Sequence, residues 1–224
     1  MNKILTGPSF SIHNKPKKLI VLLHGYGDNA ENFIQLAKQI DQKNWNAYYV
    51  SLNAPNIIPN YPIGYQWFDL YPNGIYINEA GLKELNIIKK EIMDSILQIE
   101  ETIKYYIMKL KLILIDCIVI GFSQGGMMTF ELGNYLQNQL GGLAILSGRI
   151  VNDLPITNTH LLATPIFISH GDSDDVLPVK NFENSVKYLK QNNCKFESHL
   201  VLGDTHTISQ NTINLLQNFI KKNL

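Results

Sequence analysis

The pattern that most restricts how this chain folds is a set of short apolar runs, rich in β-branched residues, with amphipathic stretches between them. The runs are Leu19–Leu23, Ala47–Leu52, Ile113–Ile120, Leu143–Ser147, Pro165–Ser169 and Phe196–Leu202. Several lack in/out alternation and are apolar almost throughout, as strands must be when helices cover both faces of a parallel sheet. The stretch Leu82–Lys109 repeats Leu82, Leu85, Ile92, Ile96, Ile99 and Ile103 at helical spacings, which predicts one long helix with a buried face. Shorter helices are expected over Ala30–Ile40, Gln124–Leu140, Val179–Asn192 and Ser209–Lys222. Strands and helices thus alternate to the end, an α/β signature. No repeat or low-complexity linker divides the 224 residues, and a single domain over 1–224 is expected. A domain of that size buries about 70% of the surface of its unfolded chain and needs no staples.

The pattern fails between Ala54 and Ala80, where Pro55, Pro59, Pro62 and Pro72 punctuate the chain. Tyr71-Pro72-Asn73-Gly74 is a turn signal, and a hairpin pairing Gln66–Leu70 with Ile75–Asn78 is expected there. Such an excursion is either a binding loop over a site or a plain surface hairpin.

Composition removes several function classes. Nineteen Lys and Arg against nineteen Asp and Glu leave no net charge to attract nucleic acid or an acidic membrane surface. The two cysteines, Cys117 and Cys194, are far apart and belong to no CxxC or Cys/His cluster, which argues against a disulfide framework and against a metal site. The start of the chain lacks the apolar core of a signal peptide, and no run approaches the ~20 residues of a membrane span. These features predict a cytoplasmic protein without stable membrane insertion.

The chemistry is concentrated in Gly121-Phe122-Ser123-Gln124-Gly125, which follows one apolar strand and opens a helix. In that context G-x-S-x-G forms a tight corner that exposes the serine hydroxyl, with glycines where backbone passes close by. A hydroxyl is a weak nucleophile and needs a histidine base oriented by a carboxylate. After the strand Pro165–Ser169 comes an acidic loop holding Asp172, Asp174 and Asp175, among which chemistry alone does not choose. After the last strand, the loop Gly203–Thr207 holds His206 at the same sheet edge, where open α/β sheets carry their sites. The other histidines have plainer readings. His199 lies within a strand, His13 and His160 are near no motif, and His170 suits a structural hydrogen bond. For the developing oxyanion, the expected donors are the N–H of Gln124 and that of Tyr26 in the loop His24–Asp28.

The motifs His24-Gly25-Tyr26-Gly27-Asp28, Trp67-Phe68-Asp69, Gly121-Phe122-Ser123-Gln124-Gly125-Gly126, His170-Gly171-Asp172-Ser173-Asp174 with Pro178, and His206 span nearly the whole chain. In this order they resemble the phospholipase/carboxylesterase family, which includes acyl-protein thioesterases. The resemblance implies an α/β-hydrolase fold and a Ser123–Asp174–His206 triad, because the family's aspartate lies four residues before the proline. It implies an acyl-binding groove roofed by the loops around Trp67 and after Ser147. The family often has a bulky aromatic after that serine. Here Gly148 and Arg149 follow, and Arg149 is a candidate partner for an anionic group on the substrate, against the plainer reading of a surface arginine paired with Asp153 or solvent.

The expected function is therefore hydrolysis of carboxylic esters, of carboxylesterase or lysophospholipase type, through an acyl-serine. The chemistry requires neither metal nor organic cofactor, and the partner is a small or lipid-like acyl ester. Acyl-protein thioesterase activity is the alternative. An acyltransferase and a non-catalytic binding module are remoter ones.

Overall fold

A computed structural model describes residues 3–41, 45–151 and 154–223. Its strands are β1 (Ser9–Phe10), β2 (Lys18–Leu23), β3 (Ala47–Leu52), β4 (Asn56–Ile58), β5 (Tyr61–Gln66), β6 (Cys117–Phe122), β7 (Gly142–Leu146), β8 (Ile166–Gly171) and β9 (Phe196–Val201). The helices are α1 (Ala30–Phe33), α2 (Gln35–Ile40), α3 (Leu82–Leu110), α4 (Gln124–Tyr135), α5 (Thr159–Ala163), α6 (Val179–Gln191) and α7 (Gln210–Asn223).

Seven strands form one sheet in the order β1-β3-β2-β6-β7-β8-β9. Every pairing is parallel except β1 with β3. The near-continuous apolar strands resolve into two faces. Val21, Leu23, Val119, Leu143, Ile145 and Ile168 pack under α3, α4 and α6, while Ile20, Leu22, Ile118, Ile120, Ala144 and Phe167 pack under α1, α2 and α7. Successive side chains point to opposite sides of a strand, so covering both sides demands a run that is apolar at every position. The expected α/β-hydrolase architecture, a mostly parallel sheet with helices on both faces, is the one found. Because the strands run parallel, the carboxyl ends of β2, β6, β7, β8 and β9 all open onto one edge.

The helix expected over Ala30–Ile40 is two, α1 and α2, on either side of Ile34, and three further elements differ from the sequence reading. The strand expected over Ile113–Ile120 begins only at Cys117. Leu114–Asp116 is instead a single 3-10 turn, closed by the Asp116 carboxylate accepting from the Ile113 N–H at 3.1 Å, with Ile113 and Ile115 left exposed. The helix expected to reach Leu140 stops at Tyr135, because the Asn158 side-chain amide donates to the carbonyls of Asn134 and Leu136 at 2.8 and 2.7 Å and Leu136 turns extended.

The excursion near 54–80 does contain a hairpin, but it is β4 paired with β5, turning through Asn60 at φ 63°. The Tyr71–Gly74 turn is real, with Asn73 at φ 56°, yet its flanks form no strand ladder and share only the bond from Ile77 N–H to Leu70 O at 2.9 Å. The N–H of Trp67 donates to the Gln124 side chain (2.9 Å), that of Asp69 to Glu91 (2.7 Å) and that of Tyr71 to Asp69 (2.8 Å). Side chains from α3, α4 and the loop itself take the donors that a strand partner would have used.

Candidate active site

Ser123 stands between β6 and α4 with φ 53° and ψ −116°. Non-glycine residues held in sparsely populated backbone regions cost about 1–3 kcal/mol and persist only where the surroundings fix them. Here the fixing is steric and hydrogen-bonded. A Cβ on Gly121 would lie 2.1 Å from the Gly125 carbonyl oxygen, and one on Gly125 would lie 2.0 Å from that of Leu23. The Ser123 N–H donates to Leu146 O at 2.8 Å. Only glycines fit on either side of the serine, and the corner presents its hydroxyl at the sheet edge.

His206 meets that hydroxyl, with Nε2 2.9 Å from Ser123 Oγ, while its Nδ1 lies 2.7 Å from Asp174 Oδ2. With Nδ1–H donating to the carboxylate, Nε2 is left to accept the serine proton. The Phe122 ring packs against the imidazole at 4.9 Å. The loops bearing Asp174 and His206 are pressed together at Gly171, where a Cβ would lie 2.2 Å from Asp204 O.

Geometry separates the three aspartates. Asp174 is buried, and its Oδ1 accepts the N–H groups of Val176 and Leu177 at 3.0 and 2.8 Å, which turns Oδ2 toward His206. Asp172 instead accepts from the Gly203 N–H at 2.7 Å, and Asp175 is exposed. His170, fully buried, adds a second imidazole: its Nε2 lies 2.7 Å from Leu177 O and 3.3 Å from Asp174 Oδ2. The sequence reading gave His170 a structural hydrogen bond, and that bond is made to the Leu177 carbonyl, beside the same carboxylate.

The loop after β2 runs against the serine: a Cβ on Gly25 would lie 3.4 Å from Ser123 Cβ. The half-buried Tyr26 is thereby brought beside Gln124, the first residue of α4, and both line the cleft that holds Ser123 and His206. A buried network fixes this loop to the elbow. Trp67 Nε1–H donates to His24 O (2.9 Å), the Gln124 amide donates to Phe68 O (2.7 Å), and Ser95 Oγ donates to Trp67 O (2.5 Å). His24 Nε2 accepts from the Ala54 N–H at 3.1 Å, so Nδ1 carries the hydrogen and donates to Gly25 O at 2.7 Å. Burial holds the His24 imidazole below its ordinary pKa, in keeping with that neutral form.

The structure corrects the expectation for Trp67. Its side chain is wholly buried and does not line the cleft, because the indole fills the space beneath the loop after β2 and its N–H is engaged there. Leu70, Tyr71, Tyr76 and Ile77, a few residues on, line the cleft from that side. Sequence reading had no signal for the roles of His24 and Ser95, since each acts through partners distant along the chain.

The cleft measures about 310 Å³. Arg149 also lines it, half-buried, and its Nε is buried with no hydrogen-bond partner among the described residues. Burial lowers the pKa of its guanidinium. Asp153 lies outside the described residues. Neither cysteine offers a rival nucleophile, since burial pushes both thiols up, Cys194 to about 11. No group of His, Cys, Asp and Glu suited to holding a metal occurs among the described residues.

A strand–Ser–helix corner at the carboxyl edge of a parallel sheet, with its histidine and aspartate from the two following strand ends, places this chain among the α/β-hydrolases. More narrowly, it belongs to the phospholipase/carboxylesterase family, whose model matches residues 10–224. It is similar to acyl-protein thioesterase 1 of Debaryomyces hansenii, 31% identical over 98% of this chain and 97% of that one, and to acyl-protein thioesterase 1 of Saccharomyces cerevisiae, 29% identical over 93% of each. Among solved structures it resembles esterase PE8, with a TM-score of 0.84 and 27% identity over 99% of this chain and 100% of that one. The fold also matches the Bacillus cereus carboxylesterase, with a TM-score of 0.79 at 17% identity over 100% and 96% of the two chains.

Proposed function

We propose that this chain, a single domain over 1–224, hydrolyses carboxylic esters through an acyl-serine intermediate, with Ser123 as nucleophile, His206 as base and Asp174 as its orienting carboxylate. The observation that carries the reading is the unbroken relay from Ser123 Oγ to His206 (2.9 Å) and from His206 to Asp174 (2.7 Å). His206 removes the Ser123 proton as the oxygen attacks the acyl carbon, and Asp174 stabilises the imidazolium that forms. The N–H groups of Gln124 and Tyr26 receive the oxyanion, and their rigid mounting by the Trp67 network means that little reorganisation accompanies charge development. Collapse of the tetrahedral adduct expels the alcohol, which takes the proton held by His206. Water, deprotonated by the same histidine, then releases the acid. As the acid leaves, His206 returns that proton to Ser123 Oγ, which closes the cycle without metal or organic cofactor.

The substrate is a small or lipid-like acyl ester rather than nucleic acid, in keeping with a zero net charge. A thioester of an acylated protein is the second reading, favoured by the two yeast relatives named acyl-protein thioesterase 1. We place the protein in the cytoplasm, a reading supported by two unpaired cysteines. No helix among the described residues is long and apolar enough to cross a membrane.

The test is initial rates on p-nitrophenyl esters with acyl chains from acetyl to palmitoyl, with Ser123→Ala beside the wild type. Serine-dependent hydrolysis is the expected result, and a short-chain optimum marks a general carboxylesterase. A long-chain optimum, together with release of thiol from an S-acylated peptide, marks the thioesterase. Hydrolysis that survives Ser123→Ala overturns the nucleophile assignment.

A further inference from the structure

The cleft contains a cation that the hydrolytic steps do not use. Ser147 adopts φ 46° and its N–H donates to Ser169 O at 2.9 Å, which turns the chain out of β7 toward the start of α4. Gly148 then packs on the elbow: a Cβ there would lie 3.1 Å from Ser123 O and 3.2 Å from the Gly126 carbonyl carbon. Arg149 follows at once, so the backbone that carries it rests on the nucleophile's own turn, and its side chain lines the same cleft as Ser123 and His206.

A guanidinium has five N–H donors and no acceptor. Buried charges in proteins are ordinarily paired, because desolvation penalises an isolated ion. Arg149 is half-buried, and its buried Nε departs from that rule. Among the described residues no carboxylate lies within ion-pair distance of it and Nε is buried without an acceptor, while burial holds its pKa below the ordinary arginine value. The acids near the cleft are already engaged. Asp174 is bound to His206 and its own loop, and Asp28 accepts from the Asn32 side-chain amide at 2.9 Å. The rest of the lining around Arg149 is neutral, including Tyr76, Met127 and Ile77.

We propose that Arg149 is an anion-recognition residue of the cleft, and that the preferred ester or thioester carries a carboxylate or phosphate group within reach of it while its carbonyl lies on Ser123. The inference rests on the esterase reading above and narrows it to a substrate class. A planar fork of donors matches either anion by two parallel charge-assisted bonds, and a compact cleft limits how far the anion stands from the scissile bond. The missing counter-ion is supplied by the substrate. Neutral esters leave the guanidinium unpaired in the closed complex, so they are disfavoured relative to anionic ones of the same size.

Two substrate pairs test this on the full-length protein. The p-nitrophenyl monoester of glutaric acid against p-nitrophenyl pentanoate places a carboxylate on the acyl side. Butyryl glycerol phosphate against monobutyrin places a phosphate on the leaving-group side. The readout is the anionic-to-neutral ratio of kcat/KM in wild type and in Arg149→Met, so that a general loss of activity cancels. A fall of about ten- to a hundredfold in the ratio is expected for one pair, the scale of losing charge-assisted hydrogen bonds, and the pair that shows it identifies which side of the ester bears the anion. Arg149→Lys, which keeps the charge but not the fork, should give a smaller fall. Arg149→Gln stands in if the Met variant does not fold. A ratio that is the same in wild type and variant for both pairs overturns the proposal. Ser123→Ala, run alongside, tests the nucleophile separately: activity persisting in it sinks that assignment and leaves the Arg149 ratio to be judged on its own.

Discussion

Two parts of the cleft lining are built on opposite terms. On the catalytic wall nearly every polar atom is committed: Ser123 to His206, His206 to Asp174, both Asp174 oxygens to donors, and the Gln124 amide to both Trp67 and Phe68. Elsewhere in the lining Tyr76, Met127 and Arg149 border open space, and Arg149 leaves Nε unmatched. The difference teaches where each task sits. The groups proposed to do chemistry are locked before substrate arrives, whereas Arg149, proposed to select substrate, keeps valence in reserve for it.

The largest test of that contrast is removal of the nucleophile. Ser123→Ala should lower kcat by about 10⁴ to 10⁶, by analogy with serine-protease knockouts, measured as steady-state hydrolysis with thermal unfolding as a control for folding. Next comes the aspartate pair. Asp174→Asn should cost roughly 10⁴ in kcat by upsetting the tautomer of His206. Asp172→Asn keeps an acceptor for the Gly203 N–H and should cost less than about threefold, as expected of a surface substitution that retains its contact. Equal losses in the two would break the distinction between them.

Stability should report the next smaller effect. Gln124→Ala orphans the Trp67 N–H and the Phe68 carbonyl in a buried site, at about 1–3 kcal/mol for each unsatisfied group, so denaturant unfolding should show a loss of about 2–6 kcal/mol. An unchanged midpoint would mean that the oxyanion loop is not held through this side chain. The smallest effect is one of pH. Burial lowers the His24 pKa in the fold, so below the ordinary value of 6.5 the unfolded chain binds the proton first. Stability contributed by neutral His24 is full above that pH and is lost as pH falls through the folded value. The melting temperature should therefore drop on acidification more in wild type than in His24→Gln.

How much of this was legible in the sequence varies by residue. Gly121 and Gly125 announced the elbow because a steric demand for no side chain leaves only one residue type. The order of Ser123, the acidic loop and His206 followed from strands ending on one edge. The choice among Asp172, Asp174 and Asp175 did not, since three carboxylates within four residues differ only in which N–H groups the folded loop turns toward them. Only the family resemblance pointed to Asp174. The hairpin was misplaced for a related reason. Pro72, Asn73 and Gly74 do make a turn, but long-range acceptors on Gln124 and Glu91 capture the backbone beside it. The family resemblance put the loop around Trp67 over the groove, and its neighbours do line the cleft, yet an indole with a waiting carbonyl at His24 goes inside.

The contacts on Asp174 bear on how His206 is held. The N–H groups of Val176 and Leu177 hold Asp174 Oδ1, and His170 Nε2 stands 3.3 Å from Oδ2, the oxygen that meets His206. Two backbone donors on one oxygen fix the plane of the carboxylate before any substrate arrives, so the other oxygen sets the tilt of the imidazole like a stop set behind a hinge.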